Sequence, residues 1–79
     1  MKKVEIYTTP SCMYCKMTKS YFAENNVSYT EHDVSTDLQR RQEMIEKSQQ
    51  MGVPVILVDD QMVIGFNKAK LASLLGLSA

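Results

Sequence analysis

The sequence predicts an α/β fold in which a small β-sheet is covered by helices on both faces. Its predicted elements follow the order strand, helix, strand, helix, strand, strand, helix. The first three form a β–α–β unit, whose strands pair in parallel. Residues 53–58 are apolar at both alternating positions, as in a strand buried on both faces. The 79 residues are expected to form one domain, 1–79, with one thin core, so any chemistry must lie at the surface.

The first strand and the first helix are marked by a change in hydrophobic periodicity. In residues 3–8, Val4 and Ile6 point to one side of the strand, and Lys3, Glu5 and Tyr7 point to the other. Residues 9–11 form a turn. Residues 12–24 contain no glycine or proline, and the two asparagines that follow end the predicted helix. Its buried stripe is predicted to be Cys15, Thr18 and Phe22, flanked by Met17 and Tyr21.

The second strand and the second helix carry weaker signals. Residues 27–34 are rich enough in β-branched and aromatic residues for a strand, and His32 is expected to be a surface residue on it. Ser35 or Thr36 can cap a helix that continues to about Lys47. Residues 48–52 end this helix. Its apolar positions are Leu38, Met44 and Ile45.

The last part of the chain reads as a hairpin followed by a helix. Residues 53–58 form the central strand, residues 59–60 a tight turn and residues 61–64 the returning strand. Pro54 conflicts with a central strand because proline has no N–H to donate. A cis bond at Val53–Pro54 would place the proline at the strand's start and turn the Val53 backbone towards a passing peptide. An ordinary trans proline at the strand start is the alternative. The third helix opens after residues 65–67 and has Leu71, Leu74 and Leu75 on one face.

Charge and hydropathy exclude two classes of partner. Nine basic and nine acidic residues leave no excess positive charge, so nucleic acid is not an expected partner. The longest apolar run, residues 53–58, is far shorter than the ~18 residues of a membrane span. No apolar stretch follows the basic N-terminal segment Met1-Lys2-Lys3, so no signal peptide is expected. The chain is therefore expected to be soluble and cytoplasmic. A monomer is a separate expectation, which these patterns do not establish.

Cys12 and Cys15 carry the strongest chemical signal in the sequence. Two residues separate them, which is too short a loop for a structural staple. They lie where the first strand ends and the first helix begins, and a helix N-terminus favours a thiolate over a thiol. We therefore expect Cys12 to be the reactive thiol, and Cys15, on the same helix face, to resolve what Cys12 attacks. A zinc site would need about four ligands, which two thiols and one imidazole do not supply.

These residues resemble the glutaredoxin family over nearly the whole chain, from residue 4 to residue 77. Residues 10–15, Pro-Ser-Cys-Met-Tyr-Cys, resemble its active-site segment, and residues 52–55, Gly-Val-Pro-Val, resemble its cis-proline segment. Gly65-Phe66 precedes a helix where the glycine motif of the family stands. The resemblance implies a thioredoxin-like fold with a four-stranded mixed sheet, helices one and three on one face and helix two on the other. It also implies thiol–disulfide exchange by the two cysteines.

The resemblance further implies a groove for glutathione, as a co-substrate rather than a tightly bound cofactor. The glutathione sulfur would join Cys12, its backbone would lie along Val53 and Pro54, and its γ-glutamyl carboxylate would lie at the start of the third helix. Alternative interpretations are core packing for Phe66, a plain helix cap for Asn67 and an exposed aromatic for Tyr14. The implied substrate- and glutathione-binding residues are Tyr14, Val53, Pro54, Gly65, Phe66, Asn67 and Lys68.

Three positions depart from the common glutaredoxin pattern and leave the reductant open. Met13 stands where the family usually has proline, Thr9 where many members have lysine or arginine, and Phe66 where a second glycine is common. The Gly65-Phe66 step instead resembles small redoxins that reduce ribonucleotide reductase and are recharged by thioredoxin reductase. The expected partners are disulfide-containing proteins, with glutathione or a thioredoxin reductase-type flavoprotein as the reductant.

Two other functions remain open at this point. Some glutaredoxins hold an iron–sulfur cluster with the first cysteine and bound glutathione, so the chain could be a glutathione-dependent iron–sulfur cluster-binding module. It could also be an accessory domain whose cysteines relay electrons for a larger flavoprotein.

Overall fold

Three helices and four strands make up the computed structural model, which describes residues 3–77. Met1 and Lys2, on which the signal-peptide argument partly depends, lie outside the described residues. Their order along the chain is the one predicted from the sequence. The elements are β1 Val4–Thr8, α1 Met13–Glu24, β2 Thr30–Asp33, α2 Leu38–Ser48, β3 Val55–Val58, β4 Gln61–Ile64 and α3 Lys68–Leu75.

The four strands form one mixed sheet in the order β2-β1-β3-β4. β1 and β2 pair in parallel, with Ile6 opposite Glu31, as a β–α–β unit requires. β3 is antiparallel to both of its neighbours, β1 and β4. The hairpin of β3 and β4 turns at Asp59, which has a positive φ of 54°. The mixed sheet that the resemblance implies is therefore confirmed.

Hydrophobic clusters lie on both faces of the sheet and show where the helices pack. One cluster joins β1, β3 and β4 to α1 and α3, and Phe22 and Leu71 are completely buried in it. The other joins the sheet to α2 through the buried Met44. Full burial of such side chains contributes roughly 1.5–3 kcal/mol each. Helices one and three thus share one face and helix two covers the other, which confirms the implied layer arrangement.

β1 and β3 contribute side chains to both clusters. On β1, Val4 and Ile6 face α1 and α3, whereas Tyr7 faces α2. The prediction that Tyr7 points away from Val4 and Ile6 is therefore confirmed, although its ring is buried rather than solvated. All four residues of β3 are buried, as the run of apolar residues predicts.

β2 is shorter than predicted because its first residues belong to the preceding loop. The main-chain N–H of Val27 donates to the carbonyl of Phe22 at 2.9 Å, so it continues the end of α1. The side chains of Val27 and Tyr29 pack against the α1/α3 cluster. The predicted strand 27–34 is therefore wrong at its start, and pairing with β1 begins at Thr30.

The cap of α2 is Asp37, not Ser35 or Thr36 as predicted. The carboxylate of Asp37 accepts a hydrogen bond from the Arg40 N–H at 3.1 Å. The N–H of Ser35 instead donates to the Asp33 carboxylate at 2.9 Å, which ties this residue into the turn before the helix. The helix then begins at Leu38, whose side chain is 67% exposed, so its predicted apolar role is wrong.

His32 is more enclosed than a surface strand residue, which corrects the expectation from the sequence. Its side chain is 10% exposed, and Nε2 lies 3.2 Å from a carboxylate oxygen of Glu5. Its ring centroid is 5.3 Å from that of Tyr7, whose buried hydroxyl has no hydrogen-bond partner within residues 3–77.

In the same described part of the chain, no helix is long and apolar enough to cross a membrane.

Candidate active site

Cys12 is the N-cap residue of α1, at the end of the turn that follows β1. Its backbone is extended, and its sulfur accepts a hydrogen bond from the Cys15 main-chain N–H at 3.0 Å. The Cys12 N–H donates to the Thr9 carbonyl at 3.2 Å, which fixes the turn. The sulfur therefore occupies the position of a capping side chain, where free N–H groups and the helix dipole stabilise negative charge. The side chain is partly exposed to solvent.

Cys15 lies one turn further along α1 and is buried, with 1% of its surface exposed. Burial, reinforced by a hydrogen bond with the Cys12 side chain, raises the pKa of the Cys15 thiol to about 12. This thiol therefore keeps its proton at neutral pH. The two cysteines are free thiols with different environments, one accessible and one enclosed.

A charged pair connects the far side of α1 to the sheet next to the buried cysteine. Lys19 Nζ and Thr8 Oγ1 both donate to the same carboxylate oxygen of Glu31, at 2.9 Å and 2.7 Å. The hydrogen bonds from Thr8 and Lys19 lower the pKa of the Glu31 carboxyl. They tie Lys19, which lies in the middle of α1 one turn after Cys15, to β1 and β2.

A shallow groove of about 570 Å³ lies beside the cysteine motif. Its lining contains every residue that the resemblance implies for substrate or glutathione binding. Tyr14, 61% exposed, comes from α1, and the other residues come from the β3 and β4 ends and the start of α3. The lining residues are Tyr14, Val53, Pro54, Ile64, Gly65, Phe66, Asn67 and Lys68.

The Val53–Pro54 peptide bond is cis, which confirms the arrangement proposed from the sequence. β3 begins after it, at Val55, so the predicted strand start at residue 53 is wrong and the proline does not interrupt the ladder. The Pro54 carbonyl accepts from the Gly65 N–H at 2.8 Å. Within residues 3–77 the main-chain N–H and C=O of Val53 make no hydrogen bond, so they remain available to a bound peptide.

Phe66 and Asn67 have the structural contacts that their alternative interpretations describe, and Gly65 has a backbone conformation that shapes the groove. The Phe66 ring packs edge-on against Tyr21, with centroids 5.9 Å apart. Asn67 caps α3, because its side-chain oxygen accepts from the Lys70 N–H at 3.1 Å. Gly65 has a φ of +78°, a conformation that favours glycine. These residues shape the groove whether or not they contact a ligand.

Sequence reasoning missed Ile64, the last residue of β4, which lines the groove and is 54% exposed. The signal was present, since a large apolar residue directly before Gly65 must lie at the same end of the hairpin. Sequence reasoning also missed the contact of Thr8 and Lys19 with Glu31, which joins three separate elements.

Among residues 3–77, no three histidine, cysteine, aspartate or glutamate side chains are close enough to hold a metal ion.

An accessible and a buried thiol at the start of a helix, beside a cis-proline in a mixed four-stranded sheet, define a thiol–disulfide oxidoreductase of the thioredoxin-like fold. The glutaredoxin family model matches residues 4–63 of the chain. The chain therefore belongs to the glutaredoxin family.

Individual relatives agree with this assignment. Glutaredoxin 3 of Escherichia coli is 37% identical over 65 residues, covering 82% of this chain and 78% of the relative. The glutaredoxin-like protein NrdH of Lactococcus lactis is 34% identical over 74 residues, covering 90% and 97%. A glutaredoxin-like 8.6 kDa protein of Clostridium pasteurianum is 42% identical over 72 residues, covering 91% and 96%.

A solved structure supports the fold independently. The crystal structure of a mutant thioredoxin-like protein superposes with a TM-score of 0.91 at 35% identity. The superposition covers 99% of this chain and all of the other. Family membership thus shows the oxidoreductase class, and structural similarity supports the fold.

Proposed function

We propose that Cys12 is the nucleophile and Cys15 the resolving thiol of a dithiol electron carrier. The Cys12 thiolate attacks one sulfur of a substrate disulfide, forms a mixed disulfide and releases the other sulfur as a thiolate. Cys15 then loses its proton and attacks the Cys12 sulfur. This releases the second substrate thiol and leaves a Cys12–Cys15 disulfide. Two electrons have passed to the substrate.

One observation carries the assignment of these roles: the two sulfurs differ in exposure. Cys12 is partly exposed at the helix start, whereas Cys15 is buried and its pKa is raised to about 12. An incoming disulfide can reach the first sulfur only. The second sulfur becomes reactive when a mixed disulfide already holds its target one helix turn away.

The groove beside Cys12 supplies a binding surface for the substrate backbone. The unpaired main-chain groups of Val53 can add an extended peptide to this edge, as in β-strand addition. Tyr14 and Ile64 present exposed apolar surface on either side. Recognition through the main chain suits an oxidoreductase that acts on several disulfide-containing proteins.

Glutathione is the reductant that the groove supports best. The N-terminus of α3 and the exposed Lys68 lie on the same groove as Pro54, and a helix start with a neighbouring lysine favours a carboxylate. In this role glutathione is a co-substrate: two molecules reduce the Cys12–Cys15 disulfide and leave as glutathione disulfide.

A thioredoxin reductase-type flavoprotein is the second candidate reductant. The resemblance of Gly65-Phe66 to the small redoxins and the similarity to the Lactococcus lactis relative favour it. Ribonucleotide reductase would then be a natural disulfide substrate. With either reductant we place the action in the cytoplasm, where the reducing pool returns such dithiols to the thiol state.

The experiment is a thiol-recovery assay. The oxidised protein is divided, one half receives reduced glutathione, the other receives NADPH with thioredoxin reductase, and free thiols are counted over time. Rapid recovery of two thiols with glutathione alone supports glutathione as the reductant. Recovery with the reductase only would overturn it in favour of the flavoprotein. Recovery with neither, in a protein that is still folded, would contradict the electron-carrier role.

A further inference from the structure

A second depression lies between α1 and α3, next to the groove but separate from it. We call it the outer pocket. Its volume is about 370 Å³, and it is lined by Tyr21, Lys68, Ala69 and Ala72. Tyr21 and Ala72 are buried beneath it, and the short alanine side chains of α3 leave room above the Tyr21 ring. The pocket therefore has the size and character to hold an apolar side chain.

The outer pocket adjoins the groove. Lys68 lines both depressions, and its ammonium lies 5.7 Å from the centre of the Tyr21 ring. The Phe66 ring also lines the groove and packs edge-on against Tyr21. Along α1, Met17 lies between Tyr14 and Tyr21 at helical spacing and is 43% exposed. Apolar surface thus extends from the cysteine motif to the outer pocket. This contiguous patch is larger than the isolated apolar residues that are usual on a protein surface.

The charge on this side of the sheet points to the chemistry of the occupant. α1 and α3 carry four lysines and one glutamate, although the whole chain is neutral. Lys19 is paired with Glu31, whereas Lys16, Lys68 and Lys70 make no ion pair within residues 3–77. On the opposite side, Arg40 and Lys47 of α2 are both paired with Glu43. The α1/α3 side therefore attracts an acidic partner.

The distance from the nucleophile fixes where the recognised residue stands in a substrate. Tyr21 follows Cys12 by nine residues, which corresponds to about 14 Å along a helix at ~1.5 Å per residue. An extended peptide covers that distance in about four residues at ~3.3–3.6 Å each. We propose that the outer pocket is a substrate-specificity site, which binds an apolar side chain about four residues from the substrate cysteine while an adjacent carboxylate pairs with Lys68. This proposal rests on the proposed function, because the substrate cysteine must be joined to Cys12.

The experiment uses synthetic cysteine peptides joined by a disulfide to thionitrobenzoate. Attack by Cys12 on the peptide sulfur releases coloured thionitrobenzoate and forms a mixed disulfide, and Cys15 then releases the peptide thiol. One peptide has leucine followed by glutamate four residues from its cysteine. A second has lysine instead of glutamate, a third has glycine instead of leucine, and a fourth has no tail. Each tail is made on the N-terminal and on the C-terminal side.

With the tail on one of the two sides of the cysteine, we expect the leucine–glutamate peptide to react about threefold faster than the lysine peptide at low salt. Its advantage over the glycine peptide should be on the order of tenfold. High salt should remove the charge effect and leave the leucine effect. Equal second-order rate constants for all four peptides in both directions would overturn the proposal.

Ala69→Glu tests the pocket directly. Ala69 is exposed in the first turn of α3, where an acidic residue favours the helix, so the variant should fold. It should lose the preference for glutamate over lysine and keep the rate of the tailless peptide. Gln39→Glu makes the same charge change on α2 and should alter neither rate. If Ala69→Glu slows the tailless peptide as much as the leucine–glutamate peptide, the site is not an outer one. If the wild-type protein reacts with none of the peptides, the proposed function itself is contradicted.

Discussion

The Cys12 sulfur accepts a hydrogen bond from the main-chain N–H of Cys15 at 3.0 Å, so one turn of α1 already joins the two cysteines before a disulfide forms. The bond stabilises negative charge on Cys12 without requiring a charged side chain. It also keeps the buried thiol within the same turn as its target. This geometry suits Cys12 to the role of nucleophile and Cys15 to the role of resolving thiol.

Serine replacements should separate the two steps of exchange. Cys12→Ser should lose all thiol–disulfide exchange, because the remaining thiol is buried. Cys15→Ser should still be attacked by disulfides but should accumulate as a mixed disulfide with a protein substrate, since the resolving thiol is gone. Non-reducing electrophoresis and intact mass measurement detect these adducts. Turnover by Cys12→Ser, or free product without adducts from Cys15→Ser, would contradict the assigned roles.

The raised pKa of Cys15 predicts a loss of stability of the reduced protein at alkaline pH. An unfolded cysteine titrates near ~8.5, whereas burial raises the pKa of the Cys15 thiol to about 12 in the folded protein. Between these values the folded state holds a proton that the unfolded state has lost. The free energy of unfolding should therefore be unaffected below about pH 8.5 and should fall as pH rises towards 12.

Urea denaturation of the reduced protein at several pH values measures this effect. Cys15→Ala is the control, because it lacks the buried thiol while keeping the tyrosines and lysines that titrate in the same range. We expect the wild-type protein to lose more stability than the variant between about pH 9 and 12. Parallel pH curves for the two proteins would show that Cys15 is not held protonated by the fold.

The order of the elements and the layer arrangement were predictable because their signals are local. A helix without glycine or proline and a strand that is apolar at both parities can each be recognised within a few residues. The errors have non-local causes. Val27 belongs to a loop because it packs under α1 and α3, and Asp37 caps α2 because the preceding turn already uses Ser35. His32 is enclosed because β2 lies beside β1 and brings it to Glu5.

The candidate site could be predicted in its parts but not in its electrostatics. The cysteine spacing and the proline at residue 54 pointed to a redox site and a cis bond, and the bond is present. The enclosed state of Cys15 depends on packing between helix and sheet, which spacing alone does not reveal. The contact of Thr8 and Lys19 with Glu31 joins residues far apart in sequence, so no local pattern could have indicated it.

The Glu31 carboxylate should contribute to stability at neutral pH. Hydrogen bonds from Thr8 and Lys19 lower its pKa in the folded state, so its contribution is present above the ordinary carboxyl pKa and is lost as pH falls through the lowered value. Because the side chains of Lys19 and Glu31 are about a third exposed, we expect Glu31→Gln to cost only about 0.5–1 kcal/mol at pH 7. The cost should decrease below about pH 4.

Denaturation at pH 7 and pH 3 checks this prediction. Glu24→Gln is the matched control, because Glu24 is exposed at the end of α1 and makes no ion pair within residues 3–77. It should change stability by less than about 0.5 kcal/mol at either pH. A Glu31→Gln cost that is the same at pH 7 and pH 3 would mean that the charge of Glu31 does not contribute.

Asn67 serves the fold and, if the groove binds glutathione as proposed, the site as well. Its side chain caps α3, so Asn67→Ala should lower the free energy of unfolding by about 1 kcal/mol, whereas Asn67→Asp should keep the cap and the stability. Aspartate nevertheless places a negative charge where the glutathione carboxylate would bind. Asn67→Asp should therefore slow thiol recovery with glutathione by about threefold at low salt, an effect that high salt removes.

Ser73→Asp separates this local effect from the change in net charge, because it adds one negative charge to α3 at an exposed position outside the groove. It should recover with glutathione at the wild-type rate. Denaturation curves and thiol counts on the same four proteins distinguish the two roles of Asn67. If Asn67→Asp is as stable as the wild type and recovers equally fast, the carboxylate of glutathione does not bind at the start of α3. If Asn67→Ala loses no stability, the hydrogen bond to Lys70 N–H does not stabilise the helix.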